Sequence, residues 1–273
     1  VRVKRWAVAL WQVLTDRTWR HTAEQSFRFS LLVAAAVALG YWLTAWLLPN
    51  LLSSHPDVDL YLFRPLVWTV VAALAIHGWA RLEHRPPLSR PLIVIALAAG
   101  FLHVLVLVIA GAAWAFADSS VTERFVDYPR NLLYAITWLA GLEAARAYLF
   151  PVWRVWNERL AFGVVAAAFF VIALPADQWD VWSGLDEILE SLGGRWVPAL
   201  AVSILATYLI RLGGLGPSLA YRFPLLVLAW LSPSVPDLPW PVLLVVAAAV
   251  VAAVAILVRR LRHKNDNPFI VKR

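Results

Sequence analysis

Long apolar runs, separated by short polar segments, recur along the whole chain. The run LLVVAAAVVAAVAILV at 243–258 is continuous and does not alternate between apolar and polar positions, so it predicts a helix and not a barrel strand. Crossing a hydrocarbon core of about 30 Å takes about 20 helical residues, and most of the runs approach that length. The pattern therefore predicts an all-α fold, a polytopic integral membrane bundle of about seven or eight transmembrane helices.

The predicted spans follow the apolar runs. They cover about Ser30 to Leu52, Leu60 to Ala80, Pro91 to Ala117, Arg130 to Phe150, Leu160 to Leu174, Trp196 to Ile210, Ser218 to Val235 and Pro241 to Val258. The stretch 213–240 is rich in glycine and proline, so it predicts either a short, bent seventh span or a re-entrant segment. We prefer the span, because Arg211 and the terminal RRLRHK both favour the cytoplasm.

Three polar segments flank or interrupt this bundle, which occupies residues 30–258. Residues 1–29 predict a basic, amphipathic segment on the cytoplasmic surface, and residues 259–273 a basic cytoplasmic tail. Residues 177–192 are acidic, with Trp179, Trp182 and Leu185 near helical spacing, and predict a short helix on the outer surface.

Composition and charge agree with a membrane protein. Hydrophobic residues make up 62% of the chain and charged residues 15%. If the amino terminus is cytoplasmic, 20 of the 24 lysines and arginines fall on the inner side and 11 of the 17 carboxylates on the outer side. By the positive-inside rule we expect a multi-pass protein of the cell membrane with both termini in the cytoplasm. Contacts with the lipid bilayer account for the net charge of +7, and no nucleic acid partner is expected.

A few polar side chains fall inside the predicted spans, where charge is costly and marks a candidate site. Glu143 and Arg146 are three residues apart in GLEAARAYLF, so they project from one helix face and can pair. One interpretation is a structural pair that ties helices together; the other is a functional site. The candidate intramembrane polar site comprises His103, Glu143, Arg146, Tyr208, Arg211, Tyr221 and Arg222.

The sequence lacks the residues that most kinds of catalytic site require. Cysteine is absent, which removes thiolate nucleophiles and thiolate metal ligands. The six histidines form no zinc-binding pair of the HExxH kind, and every lysine falls outside the predicted spans. We predict no catalytic residue, no metal site and no cofactor.

Two segments carry a family resemblance. GLEAARAYL and YLIRLGGLGPSLAYRFPLLVLAWLSPSVPDLPW are similar to the multi-spanning region that precedes the catalytic domain in some long archaeal and clostridial signal peptidase I proteins. The resemblance covers most of residues 30–258. That family's Ser-Met nucleophile segment is missing, because the chain has no methionine. The resemblance thus implies the membrane part alone, acting with a separately encoded membrane protease or export component.

Three functions are compatible with this sequence. The first is a non-enzymatic scaffold or accessory subunit associated with protein export and signal peptide processing. The second is a small-solute or ion-coupled transporter that uses polar groups of spans three and four, His103 and Glu143. The third is an intramembrane enzyme. Only the 213–240 stretch is clearly interrupted, whereas transporters commonly have interrupted helices in both halves, so the transporter is the second choice.

Overall fold

The computed structural model describes residues 17–82, 90–118, 127–174 and 184–265. Within these ranges the chain is almost entirely helical, which confirms the all-α class. The helical segments are α1 (Arg17–Trp42, continued by Leu43–Leu47 and Leu48–Leu51), α2 (Pro56–Val58, Asp59–Phe63 and Arg64–Ala80), α3 (Arg90–Ala113), α4 (Asp127–Trp153), α5 (Glu158–Ala173), α6 (Leu185–Ser191, Leu192–Trp196 and Val197–Gly213), α7 (Leu215–Leu231) and α8 (Trp240–Asn265). Strands β1 (Phe116–Asp118) and β2 (Ser234–Pro236) pair antiparallel.

In the part of the chain that the structure describes, wide π-helical turns interrupt three of the helices, and each lies just before a proline. The turns Leu43–Leu47, Asp59–Phe63 and Leu192–Trp196 each end two residues before Pro49, Pro65 or Pro198. Proline has no N–H to donate, and its ring clashes with the carbonyl four residues earlier. A locally widened turn removes that clash while the helix continues. Proline therefore widens these helices locally; α2 and α6 continue to Ala80 and Gly213, whereas α1 ends at Leu51.

Consecutive helices run in opposite directions. The Tyr148 hydroxyl, late in α4, donates to the Ser26 carbonyl, early in α1, and Arg211 at the end of α6 pairs with Glu158 at the start of α5. Helix α7 begins where α6 ends, near Arg211, and strands β1 and β2 come after the last residues of α3 and α7, so the strands lie at the opposite end of the bundle. We call the end that carries Arg154 and Arg211 the basic end, and the end that carries β1 and β2 the strand end. The described chain begins and finishes at the basic end.

Helix α4 is the central element. Every residue from 141 to 150 is buried, so this part of the helix contacts protein on all sides. A helix surrounded in this way has no face left for solvent or lipid. Its core partners include Trp68 and Val71 of α2, Val33 of α1 and Phe169 of α5. Glu143 and Arg146 are thus buried because of the position of their helix.

Two glycines permit specific features of the backbone. A Cβ on Gly100 would lie 2.4 Å from the Tyr221 carbonyl oxygen, so only glycine allows α3 and α7 to approach this closely. Gly214 has a φ of 74°, a value that side chains disfavour, and it separates α6 from α7. The sixth predicted span ends near Ile210, close to this glycine.

The boundaries differ from the prediction in several places. The predicted third span extends to Ala117, but α3 ends at Ala113 and Phe116–Asp118 is a strand too short to leave an alternating pattern. The helical residues Leu185–Ser191, predicted as part of a separate surface helix, continue into α6. The 213–240 stretch forms α7 and then leaves the helical conformation before Ser234–Pro236.

Within the described ranges, five helices are long and apolar enough to cross a membrane. They are Glu24–Leu51, Asp59–Ala80, Arg90–Ala113, Asp186–Gly213 and Trp240–Leu257. Leu215–Leu231 is a shorter apolar helix of 17 residues. Parts of the predicted amino-terminal segment (1–16), outer acidic helix (177–183) and carboxy-terminal tail (266–273) lie outside the described residues.

Candidate functional site

Glu143 connects α4 to α7. Its Oε2 accepts a hydrogen bond from the Ser218 hydroxyl at 2.5 Å, and its Oε1 accepts one from Arg222 Nη1, also at 2.5 Å. The Glu143 side chain has no exposed surface, so both oxygens depend on these donors. Charge-assisted hydrogen bonds of this kind are the strong ones in a dry interior. Both oxygens of this carboxylate are therefore engaged within the protein.

Arg146 is less completely paired. Its Nη2 lies 3.7 Å from Glu143 Oε1, and its Nη1 donates to the Ser203 carbonyl of α6 at 3.0 Å. The guanidinium carbon lies 4.8 Å from the centre of the Phe169 ring on α5. Its Nε–H has no hydrogen-bond partner among the described residues, although Arg146 is only 1% exposed. A buried cation of this kind retains an unused donor.

Small hydroxyl side chains form hydrogen bonds near the Ser203 carbonyl of α6, which accepts a hydrogen bond from Arg146. The Ser203 hydroxyl donates to the Ala166 carbonyl at 2.8 Å and so connects α6 to α5. The Thr207 hydroxyl donates to the Ser203 carbonyl at 2.8 Å, the same oxygen that accepts from Arg146. Sequence reasoning missed Ser203, Thr207 and Ser218. The usable signal was the presence of small polar residues in apolar helices, where they often bond across interfaces.

His103 and Tyr221 form a second buried pair, between α3 and α7. The His103 Nδ1 and the Tyr221 hydroxyl lie 2.9 Å apart, and the two rings stack with their centres 6.2 Å apart. His103 is 4% exposed and Tyr221 is fully buried. His103 lies near the middle of the predicted third span and Tyr221 near the start of the predicted seventh, and the structure brings the two into contact beside Arg222, the next residue in α7.

Two of the sequence-predicted residues lie elsewhere. Arg211 Nε is 2.5 Å from Glu158 Oε1 at the basic end, and both side chains are about half exposed. Tyr208 packs against the apolar cluster that contains Leu205 and Leu209 of α6. The predicted set therefore divides, and five members form two bonded groups that adjoin at Tyr221 and Arg222 of α7: His103 with Tyr221, and Glu143 with Arg146 and Arg222. We call these five residues the polar cluster.

A pocket of about 330 Å³ lies beside the polar cluster, within the size range of ligand sites. Its lining comes from α3 to α8 and is mainly apolar, with Arg146, Ser203, Arg222 and His103 grouped at one side. The other lining residues include Ala173, Pro198, Trp230 and Leu243. Because those four lie where their helices approach the strand end, the pocket extends from the polar cluster toward that end.

The charge facing this pocket is positive. Arg146 and Arg222 line it, whereas Glu143 does not, and none of the described lining residues is acidic. Within the polar cluster two guanidinium groups share one carboxylate. The Arg222 guanidinium carbon also lies 5.4 Å from the centre of the Trp138 ring in the pocket wall. The arrangement supplies hydrogen-bond donors and positive potential, which are complementary to an anion.

No group of three His, Asp or Glu side chains comes together as a metal site in the described part of the chain. Comparison with models of protein families, with curated proteins and with solved structures yields no match. The resemblance to the membrane region of signal peptidase I stays a prediction.

Proposed function

We propose that the chain is a multi-pass protein of the cell membrane, with eight spans and cytoplasmic termini. The alternating direction of the helices supports this topology, and so does the charge at the two ends of the bundle. The basic end carries Arg28, Arg81, Arg90, Arg154, Arg159 and Arg211, against the carboxylates Glu24 and Glu158. The strand end carries Asp57, Asp59, Asp118, Asp186, Glu187, Glu190 and Asp237, against Arg64, Arg130 and Arg195. Positive charge is enriched on the cytoplasmic side of membrane proteins, so the basic end faces inward in this proposal.

The proposed function is the binding of an anion inside the bundle. The observation that carries it is the unequal charge of the polar cluster, two guanidiniums for one carboxylate, combined with a pocket that both arginines line. A buried cation without full compensation is costly, and an anion in the pocket would compensate it. The free Arg146 Nε–H offers a donor that no described protein group uses.

This proposal develops the small-solute alternative of the sequence analysis, with different residues in the main roles. Both oxygens of Glu143 already accept hydrogen bonds, from Ser218 and Arg222, and Glu143 does not line the pocket, so the ligand-facing groups are Arg146, Arg222 and His103. The role of scaffold or accessory subunit in protein export stays a separate proposal. It depends on a partner, and the pocket provides no support for it.

Anion binding is testable on the protein purified in an uncharged detergent. Inorganic phosphate and octyl phosphate are each titrated and the heat of binding is measured. At least one should bind saturably to the wild type and lose most of its affinity in Arg146→Gln. The matched control is Arg159→Gln, which removes an exposed arginine. The proposal fails if neither anion binds, or if the control weakens binding as much as Arg146→Gln.

A further inference from the structure

The pocket has a polar side and a longer apolar side. Its donors are grouped around Arg146, Arg222 and His103, where α7 and α4 cross. Beyond them the walls are hydrocarbon, contributed by residues such as Leu107, Leu139, Val202, Leu226 and Ala247. A hydrated inorganic anion would lose water along these walls without receiving hydrogen bonds in return. The walls suit a hydrocarbon chain instead.

The apolar side is long enough for a short chain. Along α7 the lining extends from Arg222 to Trp230, a rise of about 12 Å at about 1.5 Å per residue. On α5 it extends from Phe169, which contacts the Arg146 guanidinium, to Ala173 one turn further toward the strand end. The part of the pocket for the headgroup and the part for the chain therefore lie in line, with the arginines at the end of the pocket that is farther from the strand end.

We infer that the ligand is an amphipathic anion with a single apolar chain. Its phosphate or carboxylate headgroup contacts Arg146 and Arg222, and its chain extends between the helices toward the strand end. This inference rests on the proposed function, because it specifies which class of anion the pocket accepts. The arginines on the polar side of the pocket favour an anionic headgroup over a neutral one. The hydrocarbon walls favour anions with an apolar chain over anions that have none.

Three probes separate the contributions of head and chain. Octyl phosphate has both, inorganic phosphate has only the head, and octanol has only the chain. In an uncharged detergent, octyl phosphate should bind the wild type at least about tenfold more tightly than either other probe. Its buried methylenes add hydrophobic stabilisation that inorganic phosphate lacks, and its headgroup makes the contacts with the arginines that octanol lacks. Subtracting the titration of Arg146→Gln removes the contribution of the micelles. If that variant does not fold, Ala199→Glu, which places a carboxylate in the pocket wall, replaces it.

A pair of variants tests the chain compartment. Ala173→Phe fills the pocket near the strand end, whereas Ala168→Phe adds the same group to an exposed position of α5 that does not line the pocket. Ala173→Phe should weaken octyl phosphate by about tenfold or more and leave inorganic phosphate unchanged. Ala168→Phe should change neither affinity.

The outcomes distinguish this inference from the proposed function. Equal affinities for octyl phosphate and inorganic phosphate, unaffected by Ala173→Phe, would retain the anion site and overturn the amphipathic ligand. Octanol binding as tightly as octyl phosphate would overturn both, since the cations would then contribute nothing. Failure of both phosphates to bind would also overturn both.

Discussion

The guanidinium of Arg222 lies 2.5 Å from the carboxylate of Glu143, although 79 residues separate them in the chain. Arg146 is only three residues from Glu143 in the chain, yet its Nη2 lies farther from the same oxygen, Glu143 Oε1, at 3.7 Å. Glu143 therefore ties α4 to α7, while Arg146 reaches α6 through the Ser203 carbonyl. The two arginines have different roles: one neutralises the carboxylate directly, and the other adds surplus charge beside the pocket.

Removal of Glu143 should be among the most damaging single changes. Glu143→Leu leaves the buried Arg146 and the mostly buried Arg222 without an anion, and stranding one member of a buried pair typically costs about 3–5 kcal/mol. The double variant Glu143→Leu with Arg222→Leu should recover a large part of that loss. Thermal unfolding in detergent measures both. A double variant no more stable than Glu143→Leu alone would contradict the assignment of Arg222 as the principal partner.

Close packing of α3 on α7 depends on Gly100. Gly100→Ala introduces a Cβ 2.4 Å from the Tyr221 carbonyl, so the helices must separate and the His103 to Tyr221 contact must change. We expect a loss of about 1–3 kcal/mol, typical of overpacking. Gly163→Ala is the control, because its Cβ would meet no atom of the described residues within 4 Å. The control should be neutral or stabilising by up to about 1 kcal/mol through helix propensity. Equal melting temperatures for the two variants would refute the close approach.

A carboxylate placed in the pocket should be tolerated better than one placed elsewhere in the core. Ala199→Glu puts it in the pocket wall, one turn from Ser203, near the surplus cation. Ala206→Glu makes the same change at a fully buried position of α6 that does not line the pocket. An unpaired buried charge costs several kcal/mol, so Ala206→Glu should be the less stable by a few kcal/mol. Thermal unfolding in detergent measures the stability of both variants. A similar loss of stability in the two would argue against surplus positive charge beside the pocket.

The helices were predictable because apolar runs of this length have few alternatives in a membrane. The spacing of Glu143 and Arg146 also predicted that they share a helix face. Their other partners were not predictable, because Arg222, Ser218 and Ser203 meet them only through the packing of α6 and α7 on α4. Burial of α4 on every side is likewise a property of the assembled bundle.

The proposed orientation can be tested with single cysteines, since the chain has none. Ser53→Cys lies in the exposed connection between α1 and α2, and Val155→Cys in the exposed connection between α4 and α5 at the basic end. A maleimide that cannot cross membranes should label Ser53→Cys in intact cells and Val155→Cys only after permeabilisation. The reverse pattern would invert the topology, and labelling of both in intact cells would contradict the span count.

Anomalous diffraction from crystals grown with octyl phosphate brominated at its terminal carbon tests the central claim most directly. The account predicts phosphate density within hydrogen-bond distance of Arg146 and Arg222, and a bromine peak toward the strand end of the pocket, near Ala173, Trp230 and Leu243. Bromine peaks confined to the lipid-facing surface, or a ligand bound with its phosphate at the strand end, would contradict it.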